Sequence, residues 1–337
     1  MKVAVFSTKP YDRYFLEAAN GGHEFVFHEV RLHQQTAPLA AGCGAVCVFV
    51  NDQVDRATLE ILAAQETKLV ALRSTGFDNV DVQAAAEVEI AVVRVAAYSP
   101  YSVAEHAVAL LQALNRKIHR AYNRTRDGNF SLDGLIGMDL HDRTIGIIGT
   151  GKIGRVFAQI MKGFGCEVLG YDLHPNDEFA GAIGGRYVEL EDLLARSQVI
   201  SLHCPLTPEN HHLINQQAIE KMRSGVILLN TSRGGLIDSE AVIDGLKSKK
   251  IGAIGLDVYE QEANIFYEDL SSEIIQDDLL ERLLSFPNVI VTGHQAFLTE
   301  EALRDIAETT IASVSDFEAG HPLKDQILPQ ERSAMPA

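Results

Sequence analysis

The chain has 337 residues, 46% hydrophobic and 22% charged, an ordinary balance for folded domains and enough length for two cores. Its 29 basic and 46 acidic residues leave a formal charge of −17, a surface that repels phosphate backbones and anionic membranes. Nucleic-acid and membrane-surface roles are therefore excluded as expectations, and any anionic substrate must be held by local groups.

In chain order, Met1-Lys2-Val3-Ala4-Val5-Phe6 reads directly as a strand, without the apolar core and cleavage site of a signal peptide. No apolar run reaches membrane-spanning length, so a cytoplasmic location is expected. Strands read at residues 3–7, 24–30, 45–50, 68–73 and 90–95, separated by helical or loop segments such as 11–20, 55–65 and 82–88. Alternation at this spacing implies a parallel sheet covered by helices. This part carries no glycine-rich phosphate loop. Cys43 and Cys47 read as core thiols, and with Cys166 and Cys204 they form no metal-like pairing, so no metal is expected.

A break falls at Ala97-Tyr98-Ser99-Pro100. Ser102-Val103-Ala104-Glu105 then matches a capping box for a long helix to about His119, a candidate subunit interface. Residues 122–142 read as a polar connection.

A second alternating series starts at Arg143. Thr144-Ile145-Gly146-Ile147-Ile148 is a buried-strand run, followed by Gly149-Thr150-Gly151-Lys152-Ile153-Gly154. A helical stripe of Ile153, Val156, Phe157, Ile160 and Met161 leads to a second strand ending at Tyr171-Asp172. Gly149 permits the tight turn, Gly151 lets backbone N–H groups approach a pyrophosphate, and Gly154 lets helix and strand pack closely. The helix N-terminus faces the anion with free N–H groups and its positive dipole end. Asp172 can accept from both hydroxyls of an adenosine ribose and would repel a 2′-phosphate, so NAD is expected over NADP.

Further strands read at 198–203, 225–230, 251–258 and 288–292, and a last helix at 299–319. A helix beyond the sixth strand of this series can cross back to the first domain. The expected organisation is two doubly wound α/β domains. A discontinuous flavodoxin-like substrate domain takes residues 1–99 plus 299–337, and a Rossmann NAD-binding domain takes 100–298, with a cleft that closes on ligand. The tail from Pro322 is expected to be irregular.

Ligands gather at the carboxyl ends of strands in open parallel sheets. Those ends carry His203-Cys204-Pro205, Thr231-Ser232-Arg233-Gly234-Gly235, Asp257-Val258-Tyr259-Glu260-Gln261-Glu262 and Gly293-His294-Gln295. An arginine, a carboxylate and a histidine thus converge on one edge. Arg233 can grip a 2-oxo acid's carboxylate with its planar fork. His294 can protonate the developing alkoxide, and Glu262 can bond the other imidazole nitrogen and favour the protonated ring. Singly, Arg233 reads equally as a surface or capping residue, Glu262 as a solvated carboxylate and His294 as structural. Their shared location is what joins them.

These motifs resemble the D-isomer-specific 2-hydroxyacid dehydrogenase family. Within it, segments 73–79, 97–100, 125–132 and 203–210 resemble bacterial fermentative NAD-dependent D-lactate dehydrogenases. The resemblance covers nearly the whole chain. It implies Arg233, Glu262 and His294 as the catalytic set, with NADH reducing pyruvate reversibly to D-lactate. It also implies that the backbone of Thr75 and Gly76 helps hold the substrate carboxylate, and that Tyr98 and Phe297 line the substrate pocket. Lys152, Ile153, Asp172, Cys204, Pro205, Asn210, Thr231, Ser232 and Asp257 match cofactor-contact positions beside Gly149, Thr150, Gly151 and Gly154. Packing alone reads equally well for Tyr98, and loop capping for Asp257. Relatives are commonly homodimers or homotetramers. Two other readings stay open: a dehydrogenase for a bulkier 2-oxo acid, and a noncatalytic NAD-sensing protein.

Overall fold

The structure, a computed structural model, describes residues 1–329; the end of the expected irregular tail lies outside the described residues. The described chain divides into two units, one made of Met1–Ser99 and residues 298–329, the other of Pro100–Phe297.

The first unit is a parallel sheet of β1 (Lys2–Val5), β2 (Glu24–Phe27), β3 (Ala45–Val48), β4 (Leu69–Leu72) and β5 (Ala91–Val93), in the order β2-β1-β3-β4-β5. That order is the flavodoxin-like doubly wound one. Alternate residues serve opposite faces, as a two-residue period requires. Phe6, Val46, Val48, Val70 and Leu72 pack with Leu59, Leu62, Ala84 and Ala85 on one side. Val3, Val5, Cys47, Leu69 and Ala71 meet Leu16, Ala307, Ile311 and Val314 on the other. The second set includes the final helix Glu300–Ala319, capped by the Thr299 hydroxyl, which accepts from the Ala302 N–H, and stopped by Gly320 at φ +70°. The tail is less irregular than expected. Arg94 N–H donates to the Asp325 carbonyl and Ile327 N–H to Val92, so 325–327 lies antiparallel along β5 with Ile327 buried.

The second unit is a seven-stranded parallel sheet: β6 (Thr144–Ile148), β7 (Glu167–Tyr171), β8 (Arg186–Tyr187), β9 (Val199–Leu202), β10 (Val226–Asn230), β11 (Ile251–Leu256) and β12 (Val289–Val291). Its order, β12-β11-β10-β9-β6-β7-β8, reverses direction beside β6, and such a switch point is where a dinucleotide fits. β8 is absent from the sequence-based reading because two residues carry no period.

The helix expected from Ser102 begins earlier, at Pro100, whose fixed φ suits a first helical position. It ends at Asn115, because Lys117 takes φ +53° and starts a second helix, Ile118–Arg126. Ala104, Ala107, Leu111 and Leu114 of the first helix pack with Ile145, Ile147, Phe157, Met161 and Leu229. Phe157 is fully buried, and truncating such a side chain to alanine costs about 3–5 kcal/mol. This packing fixes the helix Lys152–Gly163, and with it the loop that precedes it.

Candidate active site

The glycine loop between β6 and the helix Lys152–Gly163 is shaped by contacts only hydrogen allows. Gly149 sits at φ +93°, and a Cβ there would stand 2.4 Å from the Cys204 amide nitrogen. A Cβ at Gly154 would stand 2.0 Å from the Gly149 carbonyl oxygen. Gly151 is the N-cap and offers no side-chain bond to the first turn, so the leading N–H groups are available to an anion. Asp172, at the end of β7, accepts from the Thr150 N–H at 2.6 Å and hydroxyl at 3.0 Å through one oxygen, and from the His174 N–H through the other. A carboxylate has about four lone-pair positions, so acceptor capacity remains for ribose hydroxyls.

Across the sheet, hydrogen bonds tie consecutive strand ends together. His203 N–H donates to the Ile148 carbonyl, Asp257 N–H to Asn230, and His294 N–H to Asp257. The Ser232 hydroxyl donates to the Cys204 carbonyl at 2.6 Å. Burial pushes the Cys204 thiol up to about 11, which makes it a neutral lining group and no nucleophile. Thr231 is buried, and its hydroxyl has no hydrogen-bond partner among the described residues. An orphaned hydroxyl on this edge, the free helix terminus and the glycine cradle together fit a dinucleotide.

Arg233 follows β10 half-buried, with its Nη1 donating to the Ser232 carbonyl at 2.8 Å and its own carbonyl held by the Asn230 side-chain amide. Next to it, a Cβ at Gly234 would lie 2.1 Å from the Tyr259 carbonyl carbon, so the β10 and β11 loops touch backbone to backbone. The β11 loop carries Glu262. One of its oxygens accepts from the Tyr259 N–H at 2.9 Å, and the other lies 2.8 Å from Nδ1 of His294. An ionised carboxylate only accepts, so Nδ1 carries the hydrogen and Nε2 is left to exchange a proton.

His294 has φ +52°, a conformation that costs a non-glycine residue about 1–2 kcal/mol. The Asp257 carboxylate holds it there. That group is fully buried and accepts from the Gln295 and Ala296 N–H groups at 2.9 and 2.8 Å, and from the Thr292 hydroxyl. His106, from the helix Pro100–Asn115, reaches both Thr292 Oγ1 at 3.0 Å and Asp257 Oδ1 at 3.3 Å. Tyr267 Oη donates to the His294 carbonyl at 3.1 Å.

Arg233, Glu262 and His294 thus stand at the ends of three neighbouring strands of one sheet, with Gly149–Gly154, Asp172, Cys204–Asn210, Thr231, Ser232 and Asp257 along the same edge. Asn210 closes its own loop, taking the Thr207 N–H on its oxygen and donating to the Pro205 carbonyl. Phe297 is buried at the end of this unit. Thr75, Gly76 and Tyr98 belong to the other unit. There the loop after β4 is pinned by Ser74 Oγ donating to the Gly76 carbonyl, Thr75 Oγ1 to Val95, and Arg94 Nη1 to the Thr75 carbonyl. His106, Thr292 and Tyr267 escaped sequence reasoning, because their partners lie 27 to 186 residues away.

A doubly wound dinucleotide fold whose strand ends hold a carboxylate-supported histidine beside an arginine defines a 2-hydroxy acid dehydrogenase, and the chain belongs to the D-isomer specific 2-hydroxyacid dehydrogenase family. Residues 108–296 match that family's NAD binding domain. The chain is 54% identical to a 2-hydroxyacid dehydrogenase homolog of Haemophilus influenzae, covering 98% of this chain and 100% of that one. It is 51% identical to D-lactate dehydrogenase of Escherichia coli K12, covering 97% and 100% respectively. The apo-structure of the Escherichia coli D-lactate dehydrogenase superposes with a TM-score of 0.90 at 49% identity, over 97% of this chain and all of that one.

Proposed function

We propose that this protein is an NAD-dependent D-lactate dehydrogenase that reduces pyruvate to D-lactate and reverses the reaction. The observation that carries the reading is the 2.8 Å contact between His294 Nδ1 and Glu262, made on the strand edge that also bears Arg233 and the glycine loop.

In the proposed mechanism Arg233 pairs with the substrate carboxylate through its fork and orients the 2-oxo group. NADH, held by the glycine loop and Asp172, would supply a hydride for the carbonyl carbon. Nε2 of His294 gives its proton to the carbonyl oxygen as the C–H bond forms, and takes it back in the oxidation direction. Glu262 stabilises the charged ring through Nδ1 and keeps Nε2 aimed. Asp257, Thr292 and His106 hold the His294 backbone in its left-handed turn. Substrate contacts are assigned in the same proposal to Thr75, Gly76, Tyr98 and Phe297. Cofactor contacts are assigned to Gly149, Thr150, Gly151, Lys152, Ile153, Gly154, Asp172, Cys204, Pro205, Asn210, Thr231, Ser232 and Asp257.

We further place the enzyme in the cytoplasm as a homo-oligomer. All four cysteines are free thiols, which suits a reducing compartment. Ile118, Tyr122, Phe130, Leu132 and Ile136 are strongly exposed within one short stretch, an apolar patch that a second subunit would cover.

The decisive measurement is NADH oxidation with pyruvate, followed by chiral analysis of the product. D-lactate formation with kcat/KM higher for pyruvate than for 2-oxoisocaproate or phenylpyruvate supports the proposal. A reversed preference assigns a bulkier acid, and NADH binding without turnover of any 2-oxo acid leaves only a sensor. His294→Ala should lower kcat by about two to four decades while NADH affinity stays within a few-fold.

A further inference from the structure

Outside the proposed catalytic set, His211, His212 and Glu260 bring three ligand atoms to within 4.8 Å of one another. His211 Nε2 lies 3.0 Å from Glu260 Oε1, and His212 Nε2 lies 3.2 Å from both carboxylate oxygens. The two imidazoles are stacked with centroids 3.9 Å apart and planes 26° from parallel, and both present Nε2 to the Glu260 carboxylate. Adjacent side chains of an extended strand point to opposite sides, which would separate such a pair. Here His212 adopts φ +53°, and that left-handed residue turns both rings to one side. The turn is anchored, because His212 N–H donates to the Gly235 carbonyl and Ile214 N–H to Leu236. Glu260 projects from the β11 loop, which Gly234 holds by backbone contact.

We propose that His211, His212 and Glu260 form a binding site for a divalent cation of the zinc class, with solvent at the fourth position. Two imidazoles and a carboxylate are the donor set of open, four-coordinate zinc sites. Tetrahedral coordination at about 2.0–2.1 Å places ligand atoms about 3.3 Å apart, close to the 3.0 and 3.2 Å separations already present between the nitrogens and Glu260. Imidazole nitrogen selects zinc, cobalt, nickel or copper over magnesium and calcium, which take oxygen-rich shells. Side-chain exposures of 49%, 34% and 32% leave the three groups open to an arriving ion. The ion would join the loop after β9, which holds Cys204, Pro205 and Asn210, to the loop after β11, which holds Glu262. The two histidines and Glu260 are 48 to 49 residues apart, so no spacing motif announces the site.

The test uses full-length, untagged protein titrated with Co2+, with Zn2+ as competitor and thermal unfolding as a second readout. The variants are His211→Ala, His212→Asn, which tolerates the left-handed backbone, and Glu260→Gln. His211→Ala, exposed and outside the proposed catalytic machinery, serves as the variant whose metal-free turnover matches the parent's. The expected result is one Co2+ per chain with the intense visible absorption of a tetrahedral ion, displaced by Zn2+, and a metal-dependent rise in Tm. Each histidine variant should weaken binding about 100-fold and abolish the Tm rise. Featureless Co2+ spectra in the parent, or the same affinity in parent and variants, would overturn the proposal.

Discussion

Glu262 Oε1 lies 2.8 Å from His294 Nδ1, while the other oxygen of the same carboxylate takes the Tyr259 N–H at 2.9 Å. The carboxylate is therefore fixed to its own loop before it meets the imidazole, and it arrives as a pre-aimed negative charge.

Replacing that charge while keeping the shape isolates its contribution. Glu262→Gln should lower kcat for pyruvate reduction by about ten- to a hundredfold, the usual cost of losing a partner that orients a functional histidine. Rates of pyruvate reduction at saturating NADH check this, and an unchanged kcat would mean that the imidazole needs no support from Glu262.

Arg233 offers a planar fork that is steadied by the Ser232 carbonyl. Arg233→Lys retains the charge and loses the two parallel donors, so KM for pyruvate should rise and kcat should fall, together lowering kcat/KM by about 100-fold or more. Steady-state kinetics with saturating NADH check this.

The Thr231 hydroxyl is buried and unpartnered among the described residues, so its removal costs the folded chain little. Thr231→Val should leave Tm unchanged or slightly higher without cofactor, and should weaken NADH binding about two- to tenfold, the equivalent of one ordinary hydrogen bond. A variant that loses stability and keeps affinity would assign the hydroxyl to the fold.

Asp172 carries the discrimination between cofactors in this proposal. Asp172→Asn keeps the side-chain size but removes the charge that repels a 2′-phosphate. The ratio of kcat/KM for NADH over NADPH should fall about tenfold or more, the equivalent of about 1.4 kcal/mol. Parallel assays with the two cofactors measure it.

His203 lies beside Phe157, their ring centroids 5.1 Å apart, and bonds Ser201 at 2.8 Å. Burial holds its ring down at about 3, well under the ordinary 6.5. The native ring stays neutral where the unfolded one takes up a proton. Stability from this group is therefore complete above about pH 6.5 and is lost as pH falls toward 3. His203→Asn should lower the urea midpoint at pH 7 through lost packing, yet flatten its decline between pH 6.5 and 4. Equal slopes in parent and variant would place the acid sensitivity elsewhere.

Much of the fold was legible because parallel strands buried on both faces leave unbroken apolar runs, as in Ile145-Gly146-Ile147-Ile148 and Val226-Ile227-Leu228-Leu229. The placement of Arg233, Glu262 and His294 on one edge was legible for a related reason: strand ends are easy to locate, and the sheet brings them together. What held the trio in place was not. Asp257 could be read as a loop cap or a cofactor contact, and only the folded chain reveals four local groups converging on it. His106 belongs to no motif, and only the folded chain brings it to Thr292 and Asp257. Arg186–Tyr187 was too short to show a period, and the tail past Pro322 had no pattern to betray its pairing with β5.

The hydrogen-only contact at Gly234 bears on redesign. Any side chain there would prise the loop holding the guanidinium away from the loop holding the carboxylate, because both are butted against one another by main-chain atoms. Randomising position 234 to alter acid preference should yield almost exclusively inactive clones. Diversity has to enter through side chains, since at this seam the polypeptide itself is the wall.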